Sequence, residues 1–278
     1  MRQIAGIVRG VLLTAAVVLG VQTGAAGTPP DGPLKKCPVD AVVSGTVCMD
    51  TWEASVWRVP ATNLAGKSNS GLISQIQQGK ASEAELLAGN ATQLGVGSDN
   101  YAPCTDNGQT GCGDVYAVSL PGVAPSVYIT WFQAQQACKN ARKRLPSNAE
   151  WQAAVAGTPD PGPDNGTTDC NTTTAGAAVF TGSRSSCVSS DGAFDMVGNV
   201  YELVADGVPR STTCGTWSAG VSPTGDDQCL AGAATTGEPG ALLRGGFFAD
   251  GTFAGPLTVV ALDGPSHSDF GIGFRCAR

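Results

Sequence analysis

Apolar residues change their period several times along this chain. Val11 to Val21 is an uncharged apolar run behind Arg2 and Arg9, with small residues at Gly24, Ala25, Ala26 and Gly27. A run this short does not span a bilayer, so it reads as a cleavable export signal over residues 1–27, leaving no transmembrane helix. Alternating and β-branched residues follow from Val39 to Met49, broken by Gly45, the pattern of a hairpin. Leu72, Ile73 and Ile76 make a helical stripe behind a cap at Asn69 or Ser70, and Ser82-Glu83-Ala84-Glu85 is a capping box for a second short turn. Asn90 to Gly113, rich in Gly, Asn, Asp and Thr, reads as loop.

The clearest helix is predicted over Thr130 to Arg144. Thr130 and Gln133 form a capping box, and Trp131, Ala134, Cys138 and Ala141 share a face. Lys139, Arg142, Lys143 and Arg144 crowd its last turns, where the helix dipole favours cations. Leu145-Pro146 stops it. Ser147 then caps a further helix, with Glu150 three residues on and Trp151 and Val155 turned inward, ending near Gly157. Trp131 and Trp151 read as core. Thr158 to Ser190 and Pro209 to Gly240 read as long irregular stretches. The class is α+β, low in regular secondary structure, with one domain over 28–278.

Cysteine count changes this picture. Ten cysteines, an even number, all follow the apolar run, and export favours oxidation. Several bracket short Gly/Asn/Asp/Thr-rich stretches. That suggests local staples Cys37–Cys48, Cys104–Cys112, Cys170–Cys187 and Cys214–Cys229, leaving Cys138 to meet Cys276, although sequence alone leaves other connectivities open. With no C-x-x-C and one histidine, His267, zinc is not expected, nor is iron held by two histidines and a carboxylate. His267, in a polar loop, reads as solvated. Without Arg2 and Arg9 the chain carries 14 Lys+Arg against 23 Asp+Glu, which disfavours nucleic acid and anionic membrane surfaces.

Four segments then carry a family resemblance: Cys48 to Ser55; Tyr128 to Ala134 with Lys143 to Trp151; Gly192 to Glu202; and Leu243 to Phe248 with Gly273 to Cys276. In order and spacing they resemble the formylglycine-generating enzymes, or sulfatase-modifying factors. The resemblance implies a variant of the C-type lectin fold, stapled by disulfides, and it supports Cys138–Cys276. Similar proteins bind calcium at the segment holding Asn199 and Glu202, whose oxygens suit a hard cation. The bland alternative has Asn199 capping a turn and Glu202 paired with an arginine such as Arg244. Arg244-Gly245-Gly246 reads as structural: the glycines permit a sharp bend, and the arginine would pair with Asp195, Glu202 or Asp206.

The family's oxidases hold copper(I) with two cysteines after the Arg-Gly-Gly motif. Ala249 to Ala261 has none and offers Asp250, Thr252 and Thr258, hard oxygen groups, so copper is not expected and no catalytic residue is assigned. Phe247, Phe248 and Phe253 would line a diverged cleft or simply fill the core. The expectation is an exported, non-catalytic domain, secreted, periplasmic or on the cell surface, binding an unidentified ligand or protein partner. The rivals are a diverged oxidoreductase acting on protein cysteine and a cell-surface structural protein.

Overall fold

The computed structural model describes residues 36–278; the export signal read over residues 1–27 lies outside the described residues. The expected hairpin forms as β1 (Ala41–Ser44) and β2 (Val47–Asp50), paired antiparallel. Its turn needs Gly45, whose φ is +57°. A second sheet places β3 (Ala54–Arg58) between β4 (Thr92–Leu94) and β5 (Val115–Ser119). The strand β4 falls inside the stretch expected to be loop.

The largest sheet is built from β6 (Tyr201–Val208), β7 (Thr213–Thr216), β8 (Asp227–Ala231), β9 (Gly240–Arg244), β10 (Val259–Val260) and β11 (Ile272–Phe274). Their spatial order is β11-β6-β9-β10-β8-β7. The outer pairing of β11 with β6 is parallel, as is β10 with β8, and the rest is antiparallel. The stretch from Pro209 to Gly240, expected to be irregular, therefore contributes β7 and β8. Paired backbone there satisfies groups that a bare loop would leave to water.

Among the described residues four helices pack against these sheets: α1 (Ser70–Gln77), α2 (Glu83–Ala88), α3 (Trp131–Asn140) and α4 (Asn148–Ala154). The three predicted capping boxes, at Ser82, Thr130 and Ser147, are all formed. Asn69 precedes α1, but its side-chain amide donates to the Pro60 and Gly89 carbonyls instead of accepting from the helix.

The helix α3 ends at Asn140, short of the expected Arg144. Arg142 sits at φ +57° and turns the chain. Lys143 then leaves the helix axis and is buried, its Nζ donating to Asp40 and Asp50 at 2.6 Å each. Burying a cation is tolerable only against such partners, and that demand overrides continuation of the helix. Arg144 pairs in two places with Glu150 on α4.

Five disulfides join Cys37–Cys48, Cys104–Cys112, Cys138–Cys276, Cys170–Cys187 and Cys214–Cys229, the pairs suggested by loop spacing and resemblance. Cys138–Cys276 fastens α3 to the residues after β11 within the main core, beside Ile129, Leu145, Leu203 and Phe274. A second core surrounds the fully buried Trp151 with Met49, Met196 and Val204. A third lies beneath α1 and α2, with Trp57, Ile76 and Leu86. Among the described residues no helix is long and apolar enough to cross a membrane.

Candidate functional site

The strand β9 delivers the chain to Arg244, and the two glycines after it make a bend open to few other residues. Gly245 and Gly246 both lie at φ +82°. A Cβ on Gly245 would stand 2.7 Å from the Met196 carbonyl oxygen, and one on Gly246 2.5 Å from the Ala254 Cβ. The bend presents Phe247 and Phe248. The Phe247 amide donates to the Asp250 carboxylate at 3.0 Å, and the Phe248 amide to the Asn199 carbonyl at 3.1 Å.

Phe247 stacks on Tyr201, with ring centroids 5.4 Å apart and planes inclined by 20°. Phe248 meets Phe247 edge-on at 4.9 Å, and Phe270 lies 6.0 Å from Phe247 and 5.9 Å from Phe248. Gly271 lets the stack close up, since a Cβ there would be 2.6 Å from Phe247. The result is an aromatic wall. Phe248 is buried in it, while Phe270 remains 47% exposed at its crest.

A cleft lies on each side. The first, about 230 Å³, has Leu243, Val260 and Ile272 of the large sheet at its base, Tyr201 and Phe247 on its wall, and Asp263, His267 and Asp269 beside them. The second, about 240 Å³, is apolar, with Val96, Val127 and Ala178 facing Phe248 and Phe270. Phe253, expected to share the cleft, lines neither; it is half exposed at the end of a short 3-10 turn, Gly251–Phe253. Phe270 could not be found from the sequence, because an aromatic in a loop carries no periodic signal. Trp131, expected in the core, is half-buried and lines a third cleft of about 270 Å³ with Phe132, Pro239 and Pro265.

Asp250 sits behind the wall. Burial pushes its carboxyl up to about 6, against the stabilising effect of the Tyr201 hydroxyl and the Phe247 amide. Burial also raises the Tyr201 phenol, and Asp250, Asp227 and Asp263 add to that effect. His267 Nε2 stands 4.0 Å from Asp263, both side chains partly exposed. Thr258 donates to the Phe253 carbonyl and is fully buried, a structural role.

Arg244 does not pair with Asp195, Glu202 or Asp206. Its guanidinium lies 4.6 Å over the Trp151 ring and donates to Gln152 and to the Pro256 carbonyl. Burial lowers its pKa to about 10, with Asp226 nearby opposing the shift. The arginine that reaches Glu202 is Arg275, through Nε at 2.7 Å and Nη2 at 2.6 Å, while Trp151 Nε1 donates to the same carboxylate at 2.6 Å. Asn199 is tied elsewhere. Its amide donates to Glu53 at 2.6 Å, and its oxygen accepts from the Val179 amide and from Asn171.

A calcium ion held by Asn199 and Glu202 would have to compete with these donors for the same oxygens. Among the described residues no group of three or more His, Cys, Asp or Glu is arranged to hold a metal. Glu53, fully buried and central to this network, was not singled out by sequence reasoning; an acidic residue beside a strand gives no signal that it is buried.

Residues 76–278 match the family model described as the sulfatase-modifying factor enzyme 1-like domain, and the chain belongs to that family. Its fold is accordingly the C-type-lectin-like variant typical of these domains. Among solved structures, it is similar to the Major Tropism Determinant M1 variant, at 16% identity and TM-score 0.47, over 88% of this chain and 54% of that one. It is also similar to PvdO from Pseudomonas aeruginosa, at 18% identity and TM-score 0.38, over 91% and 89%. The chain spans about half the length of the tropism determinants it matches. No curated protein matches.

Proposed function

We propose that this chain is an exported, non-catalytic sulfatase-modifying-factor-like domain that recognises a ligand or protein partner with its aromatic wall. The observation that carries the reading is the placement of Phe247, Phe248 and Phe270. The Gly245-Gly246 bend sets Phe247 and Phe248 between two clefts, and Phe270 joins them from a separate loop with nearly half its surface exposed. Concave sites with apolar and aromatic linings and a few polar groups are where small ligands and side chains bind.

Chemistry at protein cysteine fits the same place poorly. All ten cysteines are committed to disulfides, so the residues after the Arg-Gly-Gly bend supply no thiolate for a soft metal. Five disulfides also suit an oxidising compartment, which supports export.

Nuclear magnetic resonance with a neutral aromatic probe, benzyl alcohol, tests the recognition reading. Amide shifts should concentrate at the second cleft, around Tyr128, Ala178, Phe248 and Phe270, and should vanish in Phe270→Ala. Shifts scattered over the surface, or unchanged in that variant, would contradict it.

A further inference from the structure

The first cleft has a chemistry of its own, separate from the apolar second one. Tyr201 and Phe247, stacked on each other, line its wall, with Asp263 and Asp269 beside them. Asp250 and Asp227 lie close enough behind Tyr201 to bear on its phenol. Among the described residues no lysine or arginine lines the cleft, and His267 is the one basic side chain there. An anion entering would meet the carboxylates of Asp263 and Asp269, and a neutral apolar group would leave their field unused.

We propose that this cleft binds an organic cation of the alkylammonium type. This assignment rests on the reading of the aromatic wall as a recognition surface and names what one side of it takes. The aromatic lining draws the charge toward its π-systems, and the carboxylates supply acceptors for its N–H groups. The alkyl stem lies along Leu243, Val260 and Ile272 at the base. At about 230 Å³ the cavity is smaller than the ~300–1,000 Å³ of drug-sized sites, so it suits one head group and its stem, not a large ligand. Two sources carry that chemistry, a free amine and the lysine side chain of a peptide. The second cleft across Phe270 would hold the apolar neighbour of such a lysine.

Titration calorimetry of the oxidised protein separates these cases. The probes are n-butylammonium, n-butanol and butyrate, which share a stem and differ in charge, then acetyl-lysine amide and acetyl-lysyl-leucine amide. The ammonium should bind at least tenfold more tightly than the alcohol, with butyrate weaker still. The double variant Asp263→Asn/Asp269→Asn changes partly exposed side chains and should abolish the preference without loss of fold. Tighter binding of the lysyl-leucine probe than of butylammonium assigns the site to peptide, and the reverse assigns it to a free amine. Equal binding of butanol and butylammonium, or a preference that survives in the double variant, overturns the cation assignment. If benzyl alcohol still binds at Phe270 in that case, the recognition reading stands alone; if no probe binds anywhere, both fall.

Discussion

Arg275 and Glu202 form a fully buried ion pair, with Nη2 2.6 Å from the carboxylate and both side chains closed to water. The arginine also donates to the carbonyls of Asp50 and Phe194, and so ties β11 to the hairpin and to the loop before β6. A buried pair adds little over a well-packed apolar replacement, but removing one partner strands a charge. Arg275→Met should therefore cost about 3–5 kcal/mol in urea unfolding, and Arg275→Met with Glu202→Gln together less than the sum of the two single changes. Additive losses would show that the pair is not coupled.

Two further carboxyls lie beside that pair and set a pH dependence. Asp195 is pushed up to about 7, mainly by burial, with the Gly182 amide and Arg275 opposing. Burial also raises Glu53 well above the usual range, with Asp195 and Glu202 adding to it. An acid with a higher pKa folded than unfolded binds more protons in the native state between the two values, so stability falls as pH rises across that interval. For Asp195 the interval runs from 3.8 to about 7. Denaturant unfolding should give lower stability at pH 8 than at pH 5, and Asp195→Asn should narrow the difference. A rise in stability from pH 5 to pH 8 would contradict this.

The disulfides should differ sharply in worth. Cys138–Cys276 spans a sequence separation of 138 and Cys104–Cys112 one of 8. Chain-entropy arguments give about 4–5 kcal/mol for a loop of the longer kind and less for the shorter. Replacing Cys138 and Cys276 by serine should lower Tm most among the five pairs. A larger loss on opening Cys104–Cys112 would place the main constraint elsewhere.

Calcium should leave the fold unmoved. With Arg275 and Trp151 on Glu202, and Val179 and Asn171 on the Asn199 oxygen, an ion at that turn would have to displace these donors. A native-state ligand raises Tm by mass action, so melts in chelator and in excess calcium should coincide. A calcium-dependent rise would mean that these donors give way to the ion.

The parts of this structure that sequence shows well are those with local causes. The capping boxes at Ser82, Thr130 and Ser147 need only neighbours three residues away, and the short disulfides close loops whose composition announces them. The end of α3 was not legible, because Lys143 answers to Asp40 and Asp50, which are 103 and 93 residues distant. The same holds for the arginine that meets Glu202. Arg244 and Arg275 stand in similar apolar and glycine-rich surroundings in the sequence; β9 sets Arg244 opposite Glu202, but its guanidinium turns to Trp151 and Gln152, and the parallel pairing of β11 with β6 brings Arg275 to the carboxylate. At the candidate site the Phe247-Phe248 pair was visible beside its glycines, whereas Phe270 joins it from a separate loop.

The central claim is that this family member recognises and does not oxidise. The disulfide-bonded protein incubated with copper(I), oxygen and a Cys-x-Pro-x-Arg peptide should produce no peptide aldehyde by mass above a metal-only control. Turnover above that control would contradict the account and require a metal site made from thiols that the structure holds in disulfides.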